Sequence, residues 1–234
     1  MSLSITTQVA VAGCLAVLCA TASHAGTTSF QFVSTISGSH GTLGQYSGSM
    51  TFSHAGGTSA TLSVTLKNLE TTAAGGKITG FVFGAPSISG LTFALVSVPS
   101  IPNANRTWQI ATGRNAAANP FGMYALGAAI GGNFLRGGSP NTGLAVGETG
   151  TWVFSVTGSE SSLASIVAAD FWSANEFGFV ARFRGFADGG SDKTPGVIIP
   201  LESLVVVPVP APVLLAGAGL LIGVAARRRF TRGY

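Results

Sequence analysis

Between Gly26 and Val206 almost every readable segment repeats with a period of two, which commits the chain to strands packed by one face. Thr58 to Leu69 is the cleanest case, with Leu62, Val64 and Leu66 on one side and Ser63, Thr65 and Lys67 on the other. Gln45 to Ser53 gathers Tyr46, Met50 and Phe52, and Gly150 to Thr157 gathers Trp152, Phe154 and Val156. Glu176 to Phe186 sets Phe177, Phe179, Ala181 and Phe183 against Arg182 and Arg184. Thr28 to Ile36, Ile78 to Phe83, Leu91 to Val98 and Val197 to Val207 are further β-rich runs, set apart by Gly and Pro turn residues. Only Ser161 to Trp172 has helical spacing, through Leu163, Ile166 and Val167, while Pro99 to Thr142 is broken by Gly, Asn and Pro and reads as loop. The pattern predicts an all-β chain, a β-sandwich of jelly-roll type with an aromatic core, followed by one short C-terminal hydrophobic helix. No internal repeat points to a propeller or solenoid.

The ends read differently from the body. Val9 to Ala20 is an apolar run followed by Ser23-His24-Ala25, the pattern of an export signal cut between Ala25 and Gly26. Val11-Ala12-Gly13-Cys14 offers a lipobox as the alternative. Cys14 and Cys19 both lie in this segment, so a body starting at Gly26 has neither disulfide nor thiol chemistry. Four of the 12 basic residues, Arg227, Arg228, Arg229 and Arg232, lie at the other end, leaving 8 to balance 8 acidic ones. A body of near-zero charge gives no footing for nucleic acid, which is bound through a basic surface. Its Gly, Ser and Thr content suits the extracellular space or a polysaccharide matrix.

The C-terminal end has three parts. Val207-Pro208-Val209-Pro210-Ala211-Pro212 separates the tail from the body, because proline donates no backbone hydrogen bond and disfavours helix before it. Val213 to Ala226 carries no charge and spans about 21 Å as a helix. That is short of the roughly 30 Å of a bilayer core. Arg227-Arg228-Arg229 then favours the cytoplasmic side. This tail resembles the PEP-CTERM sorting signal of Gram-negative bacteria in its VPLPA-type variant, with Val209 standing between the first two prolines. The resemblance implies recognition by exosortase, a membrane-embedded cysteine transpeptidase, with the inner membrane and the export machinery as transient partners. A plain C-terminal anchor is the alternative. The stretches LSVTLKNL (62–69), GLAVGETGTWVF (143–154) and FRGFADGGSDK (183–193) also resemble ectodomains that precede such tails.

Chemistry is thinly signalled in the body. His40 and His54 sit in Gly- and Ser-rich turns and read as surface-turn histidines. Asp188-Gly189-Gly190-Ser191-Asp192 places two carboxylates in a glycine loop, as a calcium ligand pair or as an Asx-type turn. Asp170 and Glu176 would serve a glycosidase only if they faced each other across a cleft. No nucleophile elbow or phosphate loop occurs. Trp152 alternates with Phe154 and reads as core, whereas Trp108, beside Arg106 and Gln109, reads as an exposed surface for stacking a sugar. The expectation is therefore an exported, non-enzymatic surface or matrix protein with no cofactor beyond a calcium option. A carbohydrate-binding or adhesive module, with possible extracellular polysaccharide as partner, is the alternative, followed by a secreted hydrolase.

Overall fold

Alternating apolar side chains become ten antiparallel strands. The structure, a computed structural model, describes residues 26–35, 44–100, 108–136 and 138–199. The expected export signal, the proline segment Val207–Pro212, the expected helix at 213–226, Arg227–Arg229 and His40 lie outside these residues. The strands are β1 (Gly26–Ser34), β2 (Tyr46–His54), β3 (Ser59–Asn68), β4 (Gly75–Phe83), β5 (Thr92–Ser97), β6 (Trp108–Thr112), β7 (Leu126–Ile130), β8 (Thr149–Thr157), β9 (Phe179–Phe186) and β10 (Ser191–Ile199). They form a sheet in the order β5-β8-β3-β2-β1-β10-β9-β4-β7-β6. The sheet folds on itself into a nearly closed sandwich, so the all-β reading holds.

The turning point is β10. Its first half pairs with β9 as far as Pro195 opposite Val180, and its second half pairs with β1 from Gly196 opposite Ser34. Proline is tolerated in this central strand because it sits where the partner changes, and its carbonyl still accepts from Thr35 N–H at 2.8 Å. The two layers meet through aromatic rings: Phe32 lies 4.6 Å from Phe179, and Phe81 lies 4.9 Å from Trp152 at 71°. Tyr46, Met50, Phe52, Leu62, Val64, Leu66 and Phe154 are fully or almost fully buried on the other layer.

Three expectations are corrected. Strands β6 and β7 occupy the middle that reads as loop; β7, Leu-Gly-Ala-Ala-Ile, is buried throughout and so shows no alternation. The last strand among the described residues is β10 at Ser191–Ile199, which starts six residues before the expected Val197, and 200–207 of the expected run lie outside the described residues. The helical stretch 161–172 is broken into a short helix α1 (Glu160–Ala164) and a 3₁₀ turn at Ala168–Phe171. Ser159 caps α1 by accepting from Ser162 N–H. Among the described residues no helix is long and apolar enough to cross a membrane.

The outer face of the β9-β4-β7 layer carries a second small core of Val82, Ala116, Ala118, Tyr124, Phe134 and Val180. Residues 113–124 and 131–136 lie over it. Arg182 donates to the carbonyls of Phe134 and Leu135, and Arg184 to that of Gly138 at 2.8 Å. The alternation of arginine with phenylalanine in β9 thus separates two buried layers and not core from solvent.

Candidate functional site

Three loops converge at one end of the sandwich: 84–88 after β4, 119–125 before β7, and 169–178 before β9. They approach closely because Gly84 has no side chain. A Cβ there would stand 2.7 Å from Ser173 Cα and 2.8 Å from Ser173 N. Tyr124 donates its hydroxyl to the Phe177 carbonyl at 2.6 Å, and Asn175 Nδ2 donates to the Met123 carbonyl at 2.7 Å. Burial pushes the Tyr124 hydroxyl up to about 12, against a smaller opposing effect of Asn175. Ser173 N–H bonds the Gly178 carbonyl at 3.1 Å, closing the 173–178 turn.

The Met123–Asn175 bridge forms a ridge with a cleft on each side. The larger cleft, about 620 Å³, is lined by Ser87, Ile88, Met123, Asp170, Trp172 and Ser173, among others. The smaller, about 430 Å³, is lined by Pro120, Phe121, Gly122, Asn175, Glu176 and Phe177. Met123 is 53% exposed on the wall of the larger cleft. Phe121 and Phe177 stand edge to face at 5.5 Å. An indole, a thioether and a few hydroxyls around an open hollow suit a small amphiphilic ligand, held by apolar contact and oriented by hydrogen bonds.

One of the two carboxylates in this region, Asp170, is engaged with backbone. Asp170 Oδ2 accepts from Val167 N–H at 2.9 Å and fixes the 3₁₀ turn. Asp170 lines the larger cleft and Glu176 the smaller, so the two do not face each other across one cleft as a glycosidase pair requires.

The structure relocates the residues singled out by sequence. Trp108 is 5% exposed and packs 4.6 Å from Trp152, so the expected exposed stacking surface is corrected. It opens a strand and not a loop, which turns its indole into the core. Trp172 is the indole that lines the larger loop cleft, and its position inside an apparent helical repeat concealed it. Asp188 is exposed and accepts from Gly190 N–H at 2.7 Å, the Asx-type turn. Asp192 is 1% exposed on β10, where its Oδ1 accepts from Lys193 N–H at 2.7 Å. The strand begins at Ser191, so the two aspartates do not share a loop as the calcium option supposed. Among the described residues no group of three or more metal-ligating side chains occurs. His54, expected on the surface, is 2% exposed with its Nε2 3.0 Å from the Gly57 carbonyl. Gly26, the residue after the expected export cut, opens β1.

Two structural clamps carried no sequence signal. Glu70, 8% exposed, accepts from Gly44 N–H at 2.5 Å and Gln45 N–H at 2.7 Å through one oxygen. Lys193 donates to the Asn119 carbonyl, and burial, followed by the Arg182 charge, lowers its pKa while Asp192 opposes the shift.

No known protein family and no curated protein matches the chain. Among solved structures the chain is similar to a biomass-sensing module of an RsgI-like protein from Clostridium thermocellum described as resembling the family 3 carbohydrate-binding module of the cellulosome. The identity is 12% over 66% of this chain and 91% of that one, with a TM-score of 0.28. A likeness at that level carries nothing about ligand or function.

Proposed function

We propose that the chain is an exported, non-enzymatic protein of the cell surface or extracellular matrix, sorted through its PEP-CTERM-like tail, whose β-domain contacts extracellular polysaccharide. The observation that carries the non-enzymatic reading is how the ionisable groups are used. Glu70, Glu148, Asp170, Asp188 and Asp192 each accept from a backbone N–H, and His54 bonds a backbone carbonyl. Groups committed to fixing loops are poorly placed to exchange protons with a substrate. The sorting reading rests on the residues of the tail, and the glycan reading on the open amphiphilic clefts and the hydroxyl-rich surface of a body with near-zero net charge.

Intact mass of the protein from its own host, with and without the sorting transpeptidase, tests the sorting half. The expected result is loss of residues 1–25 in both strains and loss of the tail only where the transpeptidase is present. Replacing Pro208 and Pro210 with alanine should leave unprocessed protein in the inner membrane. A mass that retains Val213–Tyr234 in both strains makes the tail a plain anchor and ends the sorting proposal. Release of reducing ends or acid from a panel of glycans and esters by the purified protein would overturn the non-enzymatic reading.

A further inference from the structure

The face of the β1-β2-β3-β8 layer turned away from the core is made almost wholly of hydroxyls in register. One row across the strands runs Gln31, Ser49, Thr65, Thr151, each directly opposite the next. The adjoining row runs Val33, Ser47, Lys67, Thr149. Lys67 is the one charged side chain on the outward positions of these four strands among the described residues, and no aromatic ring stands there. Neighbouring rows follow the sheet's own spacing, about 4.8 Å between strands and about 6.8 Å between outward residues along a strand.

The two rows border a trough of about 290 Å³ whose floor is Gly48. Gly48 makes the trough possible: a Cβ there would meet Phe32 Cζ at 2.6 Å and the Thr65 carbonyl oxygen at 2.7 Å, so only glycine lets β2 sink this close to its neighbours. Across the row Thr65 and Thr151 share a hydrogen bond of 2.9 Å, and nearer the strand end Thr27 and Ser53 do the same. A hydroxyl donates once and accepts twice, so each pair keeps capacity for an outside partner.

We propose that this trough and its hydroxyl rows bind a single chain of a neutral, soluble polysaccharide, laid across the strands. The chemistry favours that occupant over others. A sugar chain presents the same alternation of donor and acceptor at a repeat of a few ångströms. An acidic polymer would find one cation, and a lipid or aromatic partner would find one apolar side chain beyond the floor, Ile199, which continues the row beside Gln31. Sheet twist of about 20–25° per strand turns the four-strand row by roughly 60–75°, which a flexible chain can follow and a flat crystal face cannot. Single hydroxyl contacts are weak against water, so strength comes from repetition along the polymer. The assignment rests on the glycan reading above but places contact on the sheet face and not in the loop clefts.

The test is retardation of the chain, in the form found in its host, in native gels cast with hydroxyethylcellulose, dextran or alginate. Retardation by a neutral polymer is expected, with at least a roughly tenfold weaker apparent Kd for the triple variant Ser49→Ala, Thr65→Val, Thr151→Val. Valine keeps the shape and strand preference of threonine, and an unshifted melting midpoint would show that the fold is intact. Should that variant not fold, the single exposed change Thr151→Lys, which sets a long charged chain at the end of the hydroxyl row, must weaken retardation. Equal retardation of wild type and the folded variant overturns the face assignment, as does loss of binding on Met123→Lys with none on the hydroxyl changes; the glycan reading then survives at the clefts. Retardation by alginate alone overturns the neutral-chain assignment. No retardation of wild type in any gel overturns both readings.

Discussion

Burial decides what each polar residue of this protein does. Tyr124 and Tyr46 illustrate it at the alkaline end. Tyr124 bonds Phe177 and burial pushes its pKa up to about 12, while Tyr46, fully buried and bonded to the Thr194 carbonyl, is raised well above 10. A phenol whose folded pKa exceeds its unfolded one stabilises fully below the unfolded value near 10, and that contribution fades as pH rises through the folded value. Stability should therefore fall from about pH 10 toward pH 12. Tyr124→Phe should flatten part of that fall, read as a smaller loss of the urea midpoint over the same interval; an unchanged slope would mean the hydroxyl is not protected. Glu70 marks the limit of sequence at this scale. Its two amide partners, Gly44 and Gln45, stand some 25 positions away in the chain, and no local pattern announces such a bond.

At the scale of elements, alternation was legible wherever one face meets the core and the other meets water. β2, β3 and β8 obey that condition and lie within a few residues of where their apolar side chains place them. β7 does not, because residues 113–124 and 131–136 cover the second face of its layer and buried Ala and Gly carry no period, while the first half of β10 turns polar Asp192 and Thr194 inward and so shows no apolar alternation. The same cause hid the loop clefts: Trp172 lies where the chain changes direction, and its partners come from other loops. Glycine sets that geometry. A Cβ on Gly178 would stand 1.9 Å from Trp172 Nε1 and 2.0 Å from its Cε2, so the indole lies flat on that backbone. Gly178→Ala should expel the ring, shift tryptophan emission to the red and cost about 1–3 kcal/mol by overpacking. An unshifted spectrum would show that the cleft wall does not depend on Gly178.

For the whole molecule, one aromatic core joins both layers. Phe81 touches Trp108, Trp152, Phe154 and Phe179 across the interior, and Phe83 reaches Phe154 and Phe171. With Cys14 and Cys19 confined to the expected export signal, that core has to hold the exported form without a covalent staple. Calorimetry should show one transition whose midpoint dithiothreitol does not move. Two separated transitions would mean that the layers melt independently. Many of its pairings are between distant parts of the chain, such as β3 with β8 and β1 with β10, so folding is expected to be slow for its size.

The change of partner along β10 also has a mechanical meaning. Any pull transmitted from beyond Ile199 enters the domain along this strand, which is bonded to β9 over Ser191–Pro195 and to β1 over Gly196–Ile199. Pulled along its own axis, β10 must shear its bonds to β9 and to β1 together and not open them one at a time. A domain held at that end against flowing water would therefore meet the load with its most resistant direction.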